Sequence, residues 1–114
     1  MTAIHKNKRL QSKKIRDSAK GEDCTLRIVG ICNFNPNTTV LCHENGAGVA
    51  YKAHDIHSCY GCSDCHAWLD GGWFKYYQST GIEPPYHYLV DSEFKRAMIE
   101  TQSILIQKNL IQVI

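Results

Sequence analysis

The chain has 114 residues, six cysteines, six histidines and a formal net charge of +2, enough for one small domain whose modest core would gain from a metal cross-link. No stretch reaches the roughly 18 to 20 consecutive apolar residues that cross a bilayer, the Ile-rich end from Ile104 to Ile114 included. The Met1 end carries His5, Lys6, Lys8 and Arg9 in place of an apolar signal segment. These features argue against a membrane protein and against a secreted three-disulfide scaffold, and favour a cytoplasmic protein with reduced thiols.

The small net charge hides an asymmetry. Residues 1–20 hold Lys6, Lys8, Arg9, Lys13, Lys14, Arg16 and Lys20 against Asp17 alone, whereas the remainder is acidic, with six basic and ten acidic side chains. A basic arm on a mildly acidic body fits a segment that tracks phosphates, because each neutralised phosphate releases condensed counterions. A solvated tail fits the same composition. The division expected is an arm over residues 1–20, flexible or forming a short helix on contact, and an ordered domain over 21–114.

Along that domain, Thr25 to Val29 is β-prone and Gly30 permits the tight turn that returns the chain to Cys32. Cys24 to Cys32 therefore reads as a loop or short hairpin presenting two thiolates. Turn chemistry around Pro36 precedes a strand from Thr38 to Leu41, which delivers Cys42 and His43. The stretch from Gly46 through Gly48 to Lys52 reads as a loop. A short helix begins near Ser63 and Asp64 and ends at Gly71 and Gly72. Trp73, Phe74, Tyr76 and Tyr77 suit core packing better than a stacking platform for bases. After Pro84 and Pro85, the spacing predicts a final helix from about Ser92 to Lys108, with Phe94, Met98, Thr101, Leu105 and Lys108 on one stripe and Ile99 and Ile106 widening it. The Ile-rich end reads as a last strand or an oligomer contact.

Zinc prefers thiolates in tetrahedral sets, and the two-residue spacer of Cys62 and Cys65 lets both sulfurs reach one ion from a turn. Cys24 and Cys32 are wider apart, but the two pairs together predict one structural zinc. Cys59 is either a substitute ligand or core. His43 follows an apolar strand and His66 follows the second thiolate pair directly. Brought to one crevice, one imidazole could deprotonate water while the other held a hard divalent cation. Hydrolysis of a phosphodiester needs those parts.

The spacing Cys24-x7-Cys32, the Thr39-Val40-Leu41 run into His43, Lys52 with Asp55-Ile56, and Cys62-x2-Cys65-His66 with Asp70 resemble the YbcO family over about residues 18 to 110. These are small phage and prophage proteins grouped with the His-Me finger (HNH) nucleases. The resemblance implies an α+β fold with a ββα-metal (HNH-like) core, one structural Zn2+ on Cys24, Cys32, Cys62 and Cys65, and a C-terminal helix. It implies a metal-dependent endonuclease acting on DNA in phage recombination or replication inside a bacterial host. In such enzymes the histidine ending the first strand is the general base, here His43. The residue after the helical thiolate pair binds the catalytic Mg2+ or Mn2+, here His66. Asp55 stands where a residue orients the base through a hydrogen bond. The departure is Cys42, where many relatives carry an acidic or histidine ligand. A thiol is a poor partner for Mg2+, which leaves Asp70 or Glu44 to supply oxygen, a softer metal, or a degenerate site. The alternative function is a non-catalytic zinc module that binds nucleic acid or a recombination protein.

Overall fold

Ser12 sets the first element. Its hydroxyl accepts a hydrogen bond from Ile15 N at 3.2 Å and caps helix α1, Lys13–Ser18, satisfying a donor that the first turn would leave orphaned. In the computed structural model, which describes residues 11–44 and 54–112, α1 is followed by strand β1 (Val40–His43), strand β2 (Ser58–Gly61), helix α2 (Ser63–Ala67), a π-helical turn (Trp68–Gly72), helix α3 (Trp73–Ser79) and helix α4 (His87–Gln107). His5, Lys6, Lys8, Arg9 and the Gly46-to-Lys52 loop lie outside the described residues. No helix among the described residues is long and apolar enough to cross a membrane.

Residues 12–20, expected in a flexible arm, are part of the folded body. Ile15 and Ala19 on one face of α1 are buried with Tyr60 and Leu105. The Tyr60 hydroxyl lies 2.7 Å from Ser18 Oγ. Two small apolar side chains, four residues apart, turn a short basic helix into a docked one, with Ile15 alone contributing about 1.5–3 kcal/mol.

Strands β1 and β2 form an antiparallel pair with Val40 opposite Gly61, Cys42 opposite Cys59 and His43 opposite Ser58. The strand starts two residues later than expected. Asn35 caps a 3-10 turn over Pro36–Thr38 through its side chain, and Thr38 Oγ1 bonds Asn35 O, so local polar bonds hold Thr38 out of the ladder. The β-prone Thr25-to-Val29 run is no strand either. Thr25 N and Leu26 N both donate to Tyr60 O, and Arg27 then turns at φ 43°. Aiming two thiols at one point overrides local propensity there.

Gly71 and Gly72 do not end the helical region. Gly71, at φ 139°, kinks it, a conformation that glycine takes without a Cβ penalty, and α3 starts at Trp73. Tyr77 is buried and contacts Tyr86 and Trp68, so aromatic packing is the use of this run. Helix α4 begins five residues ahead of expectation. Leu89 N and Val90 N bond Tyr86 O, and the buried Tyr86 anchors the start without a side-chain cap. Its buried stripe is Val90, Phe94, Ala97, Thr101 and Leu105. Ile99 and Ile106 do not widen it. They are 53% and 43% exposed, because each sits about 200° around the helix from a buried residue two positions before or about 100° from one next to it. Beyond α4 the described residues form turns, and Leu110 and Ile111 fold back on the α1 cluster.

Candidate functional site

Four sulfurs converge where two chain segments cross. The Cys24-to-Cys32 loop faces the start of α2, and the sulfurs of Cys24, Cys32, Cys62 and Cys65 all lie within 4.8 Å of one another. Gly30, at φ 81°, makes the return to Cys32, whose amide bonds Ile28 O at 2.9 Å. Cys62 caps α2 by accepting from Cys65 N, the position assigned to Ser63 and Asp64 from sequence. Backbone N–H groups point at the sulfurs: Arg27 N at Cys24 Sγ, 3.4 Å, Asn33 N at Cys62 Sγ, 3.5 Å, and Cys65 N at Cys62 Sγ, 3.4 Å. Such donors stabilise thiolate charge. The Cys65 thiol above all, opposed by burial and helped by the Arg27 amide, pulls the Cys24 pKa down to about 5. Burial first, and the neighbouring thiols next, push Cys32 up to about 11; Cys24 and burial push Cys65 up. Ionising one thiol thus disfavours ionising its neighbours, and a dication would favour all four as thiolates.

The donor set fits zinc. A tetrahedral centre with zinc–sulfur bonds of about 2.3 Å separates its sulfurs by about 3.8 Å, and Cys32 and Cys62 are already 3.9 Å apart. Cys59 is not in the set. It faces Cys42 across the hairpin, and both are fully buried. A Cβ on Gly61 would meet Cys42 Sγ at 2.7 Å and Leu26 at 3.2 Å, so the glycine lets the hairpin close over this pair. With Cys42 turned inward, it offers nothing to a cation beside His43.

His43, next along the strand, points the other way and is 33% exposed. Its Nε2 lies 2.7 Å from Asp55 Oδ1. Asp55 is fully buried, and its other oxygen accepts from Ser12 N at 2.6 Å and from Arg16 Nη1 at 3.1 Å. Burial alone would raise the Asp55 pKa, but the hydrogen bond from His43, the Ser12 amide and the charges of His43 and Arg16 hold it below its ordinary value. A carboxylate accepts and cannot donate, so a neutral His43 keeps its proton on Nε2 and leaves the Nδ1 lone pair available. The structure thus brings His43 and Asp55 together and adds Ser12 and Arg16.

His66 stands apart from that group. Its Nε2 is 3.3 Å from Asp70 Oδ2, one turn on, and no hydrogen bond or ion pair among the described residues joins it to His43. Among the described residues, the cysteines are the one group of three or more close ligand atoms. The first turn of α2 nonetheless lies against the hairpin, with His66 N 3.8 Å from the Cβ position at Gly61. Of the basic residues expected on nucleic acid, Lys13 pairs with Asp17 at 2.6 Å, Lys14 is exposed, and Arg16 is committed in part to Asp55. Arg27, in the loop between Cys24 and Cys32, pairs with Glu100 at 2.8 Å. The contacts of Ser12 and Arg16 with Asp55 escaped the sequence reading, which assigned Arg16 to nucleic acid, because they lie 43 and 39 residues from Asp55.

The family model described as "Putative nuclease YbcO" matches residues 13–81, a span that holds all four cysteines, His43, Asp55, His66 and the whole of α1. It starts within the segment assigned to the arm and stops ahead of α4. Proteins named "Putative nuclease YbcO" from Escherichia coli (strain K12) and "Putative nuclease ybcO" from Enterobacteria phage 82 are each 39% identical over 59 residues, covering 49% of this chain and 62% of the relative. The matched stretch thus spans less than two thirds of those relatives. A solved structure titled "Structure of a putative bacteriophage protein from Escherichia coli str. K-12 substr. MG1655" superposes with a TM-score of 0.60 at 27% identity, over 84% of this chain and 100% of that one.

Proposed function

The chain belongs to the YbcO family, and on that premise we propose that it is a metal-dependent endonuclease hydrolysing DNA phosphodiester bonds, with a ββα-metal core formed by β1, β2 and α2. The observation that carries this reading is the His43–Asp55 pair: a half-exposed imidazole, oriented by a buried carboxylate, with Nδ1 available as a base. His43 Nδ1 takes a proton from water as the oxygen forms its bond to phosphorus, and the bond to the leaving sugar oxygen breaks in line. His66 and Asp70 offer one imidazole and one carboxylate, both partly exposed, a donor set open enough for a hydrated divalent ion. Mg2+ or Mn2+ held there would neutralise charge growing on the phosphoryl group and leaving oxygen. Asp70 is the oxygen donor of choice, since Cys42 is buried. The exposed Lys14 of α1 would suit a phosphate of the duplex DNA backbone. Work on phage DNA in recombination or replication would follow from the family.

The test is plasmid nicking with Mg2+ or Mn2+. His43→Ala should lose about 10² to 10⁴ in rate and keep its zinc, because it removes the base and leaves the thiolate centre untouched. His66→Ala should be rescued in part by more metal, and His43→Ala should not. Wild-type protein that cuts no duplex, branched or single-stranded substrate with either ion would leave a zinc module that binds nucleic acid as the reading.

A further inference from the structure

Asp55 is a carboxylate with no exposure to water and three hydrogen-bond donors around it. Two of the three, Ser12 N and Arg16 Nη1, come from the N-terminal helix, which is itself fastened to the body by Ile15 and Ala19. Among the described residues, Oδ1 pairs with His43, while Oδ2 is shared by the amide and the guanidinium. The other ionisable groups nearest in the chain are Glu44, whose amide bonds His57 O, and His54 and His57, whose rings meet edge to face 5.4 Å apart. From α4, the neutral amide of Gln102 bonds Ile56 O at 2.7 Å.

A buried anion needs a compensating charge. If Arg16 supplies it, Asp55 stays ionised beside a neutral imidazole, and His43 remains a base. Without Arg16 the site has two ways to balance. Asp55 takes a proton and ceases to be a pure acceptor, or His43 takes one and becomes imidazolium, which cannot accept another.

Building on the endonuclease reading, we propose that Arg16 is a positioning residue: from α1 it holds Asp55 as a carboxylate, and through Asp55 it keeps His43 as the neutral tautomer protonated on Nε2. The N-terminal helix is then a working part of the active site as well as a surface for phosphate. Arg16 acts through Asp55 and need not touch the substrate.

The test combines tautomer with kinetics. In zinc-loaded, full-length protein without DNA, 15N chemical shifts of the His43 ring should report the Nε2–H tautomer near neutral pH. Arg16→Ala should replace that signature by imidazolium or a tautomer mixture, and Arg16→Lys should largely retain it. Should Arg16→Ala fail to fold, Arg16→Gln, which keeps a donor and loses the charge, takes its place against Arg16→Lys. In nicking assays kcat should fall about ten- to a hundredfold for the uncharged variants, the scale of losing a group that orients a functional side chain, with KM for DNA little changed. An unchanged His43 signature in an uncharged variant overturns the proposal, as does a rise in KM with kcat intact, which would make Arg16 a phosphate contact alone. Because the ring signature is read without substrate, a protein that cuts nothing yet shows the expected shift would sink the nuclease reading and leave this coupling standing.

Discussion

The cysteine centre and the His43 pocket sit on opposite faces of one hairpin strand and are built by opposite means. Cys42 turns inward beside Gly61, toward the core that holds the four sulfurs, while His43 turns outward to Asp55 and α1. The first region is made of short-range pairs, buried and poor in side-chain charge. The second is a polar junction of three segments, with two groups from α1 and its cap and one each from β1 and the residues before β2. A strand's twofold alternation allows this separation, since neighbouring residues face different environments. The lesson is that the cysteine cluster and the His43 pocket can be altered independently, although one strand separates them.

Stripping metal from the cysteine region should have the largest effect of all. Thiolate–zinc binding is also folding free energy, with apparent values of about 10–16 kcal/mol in zinc-finger peptides. Purified protein should carry one zinc per chain, and a strong chelator should sharply lower its melting temperature. Cys24→Ser should do the same. Cys59→Ser should cost far less, about 1–3 kcal/mol for a buried hydroxyl without a good partner. Equal damage from the two serine variants would erase the distinction between ligand and core cysteines.

Deleting residues 1–20 probes the other region at intermediate scale. It removes Ile15, worth about 1.5–3 kcal/mol of burial, together with both α1 donors to Asp55. The expected result is a melting temperature several degrees lower, with zinc content unchanged, and a flatter salt dependence of DNA binding. An unaltered melting temperature would mean that α1 contributes no more than a passive tail.

The smallest effect is in the acid range. The folded Asp55 pKa lies below its ordinary value of 3.8, so its stabilisation is fully present above 3.8 and is lost as pH falls through the folded value. Wild type should therefore exceed Asp55→Asn in urea midpoint above pH 3.8, and the gap should close below it. Zinc release in acid affects both proteins, so the difference between them isolates Asp55. A gap that stays constant or widens in acid would contradict an ionised, charge-paired Asp55.

How much of this was legible in the chain follows the same division. Cys62 and Cys65 are separated by two residues, a spacing that marks a ligand pair, whereas the wider Cys24 and Cys32 pair could be read only together with it. The alternation that sends His43 outward could be read as well. The contact of Arg16 with Asp55 could not: seven cations against one anion in residues 1–20 read as a phosphate-tracking arm or a solvated tail, and the apolar positions Ile15 and Ala19 were too few to mark a docked helix. Boundaries failed where tertiary anchors outvoted local signals, as when the buried Tyr86 started α4 ahead of the good capping residues Asp91 and Ser92. The extended run at Thr25 failed for the same reason, bent by the demand to bring Cys24 and Cys32 to one point.

The most direct test of the endonuclease reading is anomalous diffraction from crystals soaked in Mn2+. The account predicts zinc at Cys24, Cys32, Cys62 and Cys65, and manganese on His66 and Asp70, facing the same crevice as His43 Nδ1. Manganese absent from His66, or bound on a face that His43 does not share, would contradict it.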